Sequence, residues 1–317
     1  MRGANHQHET SPMKITRSTL LLLLASGLVL SEELAEQYTF ANVSYQEGAA
    51  WTANTAPNAR FTYGDEVTLQ LADLRIPSST MPPNGYPVII FIHGGAWRSE
   101  WSKTYTEAFV EALSKQGFAT WDLEFRRIGH RGGGYPGTFE DVADGADHLR
   151  LVAESYPLNL DEVIAVGHSS GGHLALWLAG RHRLPESSEL YRGDPLALRG
   201  VISIAGVNDL ELSYELGGRT DVLTLIGADS LDSGERRFRE TNPARLRPLD
   251  VLQTLMIGDQ DSQWRLKMTE SYAKESVEAG DMTKVLIVPG ANHMDVVDPR
   301  SGFAKAVGYE AREILKR

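Results

Sequence analysis

From about Tyr63 onward, short apolar runs alternate with amphipathic segments along the chain. The runs VIIFIH from Val88, FATWDL from Phe118, VIAVG from Val163, VISIAG from Val201, LQTLMIG from Leu252 and KVLIVPG from Lys284 are apolar at nearly every position. A strand covered on both faces needs that composition, so these runs predict parallel strands inside a sheet. Upstream, VTLQLADLRIP alternates Val67, Leu69 and Leu71 and ends at Pro77. Such alternation predicts an antiparallel edge strand.

Helical patterns fill the intervals. In GTFEDVADGADHLRLVAES, Thr138 is placed to cap a helix with Asp141 three residues on, while Phe139, Val142, Ala146, Leu149 and Val152 share one side. Further helices are expected over residues 105–116, 170–182, 263–278 and 303–316. Strand and helix in alternation predict an α/β fold, with a mostly parallel central sheet of about eight strands and helices on both faces. Residues 209–248 exceed a simple crossover and carry Gly217, Gly218, Pro243 and Pro248. They are expected to form a small insertion over the C-terminal edge of the sheet, where open α/β sheets bind ligands.

The first 40 residues follow another pattern. Lys14 and Arg17 precede an apolar run over residues 20–30, after which Ser31, Glu32 and Glu33 return the chain to water. A basic stretch before a short apolar core predicts a secretory signal, with Val29 and Ser31 as the small residues before cleavage and Met13 as a candidate start. The run is too short to span a bilayer, so no stable membrane span is expected. The expected division is a leader over 1–31, an N-terminal extension over 32–60 and a catalytic domain over 61–317. A working leader implies export to the periplasm or the medium, and a silent one a cytoplasmic protein.

Composition narrows the chemistry. The chain of 317 residues has no cysteine, which excludes thiolate nucleophiles, disulfides and thiolate metal sites. Its formal net charge of -11, without a basic run, argues against a nucleic-acid partner and leaves small neutral or cationic substrates.

The candidate chemistry begins at Gly167-His168-Ser169-Ser170-Gly171, between the run VIAV and the pattern GHLALWLAG. A serine on so tight a strand-to-helix turn is held with its hydroxyl exposed, and the residues two before and two after it must lack side chains. Gly172 gives room for helix and strand to approach. A serine needs a base, and the base needs an orienting acid. Asp261 in MIGDQDSQW and His293 in VPGANHMD each follow a predicted strand, in the order Ser, Asp, His, so they emerge at the same sheet edge as Ser169. Asp259 and Asp209 compete for the acid role, and Asp261 is preferred because it stands farther from its strand. The remaining need is an oxyanion hole. In FIHGGAW, Gly94 and Gly95 let the backbone approach closely, Gly95 and Ala96 are placed to aim N–H groups, and Ser170 supplies another. His93 is expected to fix this loop by hydrogen bonding. His130, His148, His168, His173 and His182 show no ligand spacing, so neither a metal nor a cofactor is expected.

Together HGGAW, GHSSGGHLALWLAG, ETNPARLRP, GDQD and PGANHMD, in that order, resemble the α/β-hydrolase superfamily from about Thr62 to the C-terminus. Within it the chain is similar to small carboxylesterases with an HGG-type oxyanion loop, feruloyl-esterase-like enzymes and kynurenine formamidases. The resemblance implies Ser169 as nucleophile, Asp261 as orienting acid and His293 as general base. It departs from relatives after the acid, where Ser262, Gln263 and Trp264 replace a short apolar residue and proline. The implied activity is hydrolysis of a carboxylic ester of a small acyl or aryl substrate. Alternatives are an amidase of the kynurenine formamidase type and a hydrolase-fold binding module without turnover. The implied partner is a small-molecule ester or amide, and the oligomeric state stays open. Trp97, Trp101 and Trp264 are candidates to line the pocket. Arg126 and Arg127 are candidates to meet a substrate carboxylate, with solvated side chains as the alternative. RGGGYPG from Arg131 is a candidate flexible gate.

Overall fold

The computed structural model describes residues 28–30 and 38–317. In chain order the strands are β1 (Leu28–Leu30), β2 (Ala59–Thr62), β3 (Leu71–Arg75), β4 (Tyr86–Ile92), β5 (Ala119–Leu123), β6 (Leu158–His168), β7 (Gly200–Ile204), β8 (Leu252–Gly258) and β9 (Thr283–Val288). The helices are α1 (Tyr45–Gly48), α2 (Glu107–Ser114), α3 (Gly137–Asp147), α4 (Leu149–Val152), α5 (Ser170–Gly180), α6 (Leu210–Gly217), α7 (Asp221–Ile226), α8 (Leu231–Thr241), α9 (Gln263–Glu278) and α10 (Ala304–Leu315). One sheet takes the order β1-β9-β8-β7-β6-β4-β5-β3-β2. Strand β3 runs antiparallel to both β2 and β5, and the other pairings are parallel. From β2 to β9 this is the mixed, mostly parallel sheet of eight strands that the apolar runs predict.

The apolar runs are continuous because each strand feeds two cores. In β4, Val88, Ile90 and Ile92 pack with Phe139, Val142, Leu174 and Trp177 of α3 and α5. Ile89 and Phe91 point to the other face and pack with Phe109, Val110, Phe303 and Val307 on or beside α2 and α10. A strand with one wet face would alternate instead.

Two local expectations need correction. The alternating segment is not an edge strand: the chain turns through residues 67–69, Val67 is 60% exposed, and β3 begins only at Leu71. The edge is β2, whose ARFT has only Ala59 and Phe61 on the partly buried side. Local bonds decide the turn, with Leu69 N and Gln70 N both donating to Glu66 O. Thr138 does not cap α3, since Pro136 holds that position without a side-chain bond. Its Oγ1 donates to Arg126 O and accepts from Gly134 N, while Asp141 takes Arg126 and Gln70.

Between β7 and β8, helices α6, α7 and α8 occupy the long connection. Most of the expected leader lies outside the described residues. Of it, Leu28–Leu30 pair in parallel with β9. Among the described residues no helix is long and apolar enough to cross a membrane.

The two-sided core predicts a position-dependent loss of stability. Phe109→Ala, at a fully buried site between α2 and the sheet, should cost about 3–5 kcal/mol in chemical denaturation. Tyr309→Ala, on the 56% exposed face of α10, should stay within about 0.5 kcal/mol. Equal losses at the two sites would contradict this layering.

Candidate active site

The site grows from the turn at Ser169. Its backbone sits at φ 55 and ψ -121, a positive-φ conformation outside the well-populated regions that a serine adopts only when its surroundings enforce it. Two glycines do so. A Cβ on Gly167 would run into Gly171 O, and one on Gly171 would run into Ile92 O and His93 O. Ser169 N donates to Ile204 O (2.9 Å), and Ser169 O accepts from Val207 N (3.1 Å), which ties the turn to the end of β7.

The three sequence candidates meet. His293 Nε2 lies 3.1 Å from Ser169 Oγ, and His293 Nδ1 lies 2.7 Å from Asp261 Oδ2. Asp261 Oδ1 accepts from Ser262 N (2.6 Å) and Arg265 Nη1 (3.2 Å). The competing carboxylates are occupied elsewhere. Asp259 accepts from Gly290 N, and Asp209 caps α6 and accepts from Asn242. Burial pushes the Asp261 carboxyl up, but His293, Arg265 and the Ser262 N–H together hold it well below the usual range. Burial lowers the His293 pKa from its ordinary 6.5, the Arg265 cation lowers it further, and Asp261 works against both. The imidazole is therefore neutral at pH 7 and can accept a proton.

Beside Ser169, the loop after β4 takes positive φ at Gly95 (109), Ala96 (56) and Trp97 (56). The N–H of Gly94 is not free: it donates to Tyr105 Oη at 2.8 Å. Gly94 instead permits contact, since a side chain there would collide with His168 O and Ser169 Cβ. The N–H groups of Gly95, Ala96 and Ser170 have no internal acceptor among the described residues. Below the loop, His93 Nδ1 donates to Gly94 O (2.7 Å), Nε2 accepts from Arg127 Nη1 (2.8 Å), and the ring stacks on Phe125.

Tyr105 does more than start a helix. With its oxygen accepting from Gly94 N, its hydroxyl proton goes to His168 Nδ1 (2.8 Å), which leaves Nε2–H to donate to His293 O at 3.0 Å. One buried chain thus joins the loops after β4, β6 and β9. The last of these is also pinned by Val43, upstream of β2. Asp295 accepts from Val43 N and Asn292 N, and Asn292 Nδ2 donates to Val43 O.

The cavity at Ser169 has a volume of about 260 Å³. Its lining includes Tyr45, Trp101, Arg219, Arg265, His293 and Met294. Of the three tryptophan candidates, Trp101 lines it, Trp97 is buried beneath and donates to His173 Nδ1 (3.2 Å), and Trp264 lies under two arginines. Arg126 and Arg127 do not line the cavity, and in place of free solvated side chains both are held in ion pairs, Arg126 partly exposed and Arg127 buried. Arg126 clamps Asp141 and Arg127 pairs with Glu124. The RGGGYPG segment does not line the cavity either, being tied down by Tyr135 N to Leu225 O (2.7 Å) and Tyr135 Oη to Glu240 (2.7 Å). Sequence reasoning missed Tyr45, Tyr105, Arg219 and Arg265. Only Arg265 had a signal, standing four residues after the acid at the start of a predicted helix.

The chain is similar to known esterases in sequence and in fold. The profile of the BD-FAE family matches residues 72–263. Esterase LipC of Mycobacterium tuberculosis (strain ATCC 25618 / H37Rv) is 26% identical over 247 residues, covering 75% of this chain and 60% of that protein. The probable isoprenylcysteine alpha-carbonyl methylesterase ICME of Oryza sativa subsp. japonica is 25% identical over 259 residues, covering 76% and 59%. The chain thus spans about 60% of the length of these curated relatives. Among solved structures, phosphonate-inhibited Esterase B from Lactobacillus rhamnosis is similar with a TM-score of 0.70 at 19% identity, covering 95% of this chain and 97% of that one. A truncated carbohydrate esterase from gut microbiota gives 0.69 at 19%, covering 84% and 99%. At these identities the likeness is one of fold.

The electrostatics predict how His293 titrates. By NMR its ring should protonate below pH 6.5, and Arg265→Gln should move that titration upward, because the nearby cation disfavours the imidazolium. An unchanged or lower midpoint in the variant would contradict the role assigned to Arg265.

Proposed function

The chain belongs to the BD-FAE family, and from that membership we propose that it is a serine hydrolase that cleaves a carboxylic ester of a small acyl or aryl substrate through an acyl-enzyme intermediate. The observation that carries the reading is the continuous contact from Asp261 through His293 to Ser169 Oγ, with the hydroxyl opening on the cavity. The names of the relatives, esterases of several kinds, point the same way.

In this reading Ser169 Oγ attacks the ester carbonyl while His293 Nε2 takes its proton. Asp261 holds Nδ1–H and stabilises the imidazolium that forms. The oxyanion is met by the N–H groups of Gly95, Ala96 and Ser170, each worth about 3 kcal/mol of barrier by analogy with other hydrolases. His293 then protonates the departing alcohol. Water enters, loses a proton to His293, and releases the acid from Ser169 by the same route. The apolar leader with its basic start supports placing this activity outside the cytoplasm.

Ser169→Ala should lower kcat on p-nitrophenyl acetate by on the order of 10⁴–10⁶-fold, with circular dichroism and thermal unfolding retained. Turnover at the parent rate in the folded variant would remove Ser169 from the mechanism.

A further inference from the structure

Two guanidinium groups face the cavity that the reaction above does not use. Arg219 comes from the link between α6 and α7, and Arg265 from the first turn of α9. Both line the cavity with Ser169 and His293. They also share one aromatic platform, with guanidinium carbons 5.7 Å (Arg219) and 4.4 Å (Arg265) from the Trp264 ring centroid. Sequence puts them 46 residues apart, and the fold brings like charges together.

Each arginine is only half satisfied. The Arg265 side chain is 8% exposed, and its Nη1 donates to Asp261 and Ser262. Its Nε is buried without an acceptor, and Nη2 has none among the described residues. Arg219 spends Nε and Nη2 on Asp221, which leaves Nη1 without an acceptor among the described residues. Arg265 is a desolvated cation with an unmet N–H donor, which is costly, whereas Arg219, 22% exposed, presents its free donor at the cavity; a carboxylate between them supplies both charge and acceptors in the planar geometry a guanidinium prefers. Trp264 stiffens the platform by stacking, so the donors are arranged before a ligand arrives.

The net charge of -11 gives no long-range attraction to an anion, so selection must act at contact distance. The volume of about 260 Å³ keeps any bound carboxylate close to Ser169. We propose that Arg219 and Arg265 form a carboxylate subsite, and that the preferred substrates are small esters carrying a carboxylate on the acyl or the alcohol part near the scissile bond. This rests on the serine-hydrolase reading of the same cavity. It also has a mechanistic consequence. Both cations lower the His293 pKa, so a carboxylate between them offsets that effect and leaves a stronger base in the substrate complex.

Binding separates the subsite from the chemistry. Full-length Ser169→Ala protein is titrated calorimetrically with monoethyl succinate against its neutral amide isostere ethyl succinamate, and with acetoxyacetate against acetoxyacetamide. The expected result is at least ten-fold tighter binding of the carboxylate in one pair, which also identifies the side that carries it. Arg219→Gln in the same background should reduce the preference to two-fold or less, and Arg219→Lys, which keeps charge but loses the fork, should leave an intermediate value. Equal affinities in both pairs, absence of measurable carboxylate binding at millimolar concentration, or a preference that survives both Arg219 variants would overturn the subsite. Turnover of p-nitrophenyl acetate and of both carboxylate esters by the parent protein is measured alongside. Carboxylate preference without ester turnover would keep the subsite and remove the hydrolase reading, and turnover without preference would do the reverse.

Discussion

The buried chain from Gly94 N–H through Tyr105 and His168 to the carbonyl of His293 is the constraint on which the site depends. Each group in it can play only one part. Burial pushes the Tyr105 phenol up, so it stays protonated and able to donate. Burial pushes His168 well below its ordinary value, so its ring is neutral, with one acceptor and one donor nitrogen. The direction of the chain is thereby fixed. Since a buried polar group left unpaired costs on the order of 1–3 kcal/mol, shifting one of the three loops would strand a partner in another. The Ser169 turn, the loop after β4 and the His293 loop are thus held by mutual satisfaction, and the glycines at 94, 167 and 171 supply the room that the turn requires.

Charge around His293 is balanced between opposing demands. Asp261 must stay ionised to orient the imidazole, and Arg265 helps it do so while making the imidazolium less favourable. The outcome is a base that is neutral at pH 7 beside a carboxylate that is firmly charged. Arg219 adds a second cation across Trp264, which links the acid–base pair to whatever occupies the cavity.

What could be read from the sequence follows the range of the interaction that determines it. The central strands were legible because burial on both faces leaves a continuous apolar run, and the meeting of Ser169, Asp261 and His293 because each stands just past such a run. The edge was not, since β2 is short and half polar and the turn at residues 67–69 is held by backbone bonds that hydropathy does not report. Arg126 and Arg127 were placed at the right end of β5, but their ion-pair partners, Asp141 and Glu124, depend on side-chain packing. Tyr45 lines the cavity from a segment 248 positions away from His293, with its ring 5.7 Å from the imidazole. Contacts of that separation leave no periodic trace. The Arg219 link between α6 and α7 is silent for the same reason, whereas Arg265 was recoverable from its helical spacing to Asp261.

Activation of Ser169 as a nucleophile by His293 can be read by chemical labelling, with peptide mass mapping after treatment of the folded protein with a fluorophosphonate. One covalent adduct is expected, on the peptide containing Ser169, and its loss when His293 is replaced by alanine. An unlabelled Ser169 in folded protein, or labelling that persists at full rate without His293, would contradict it.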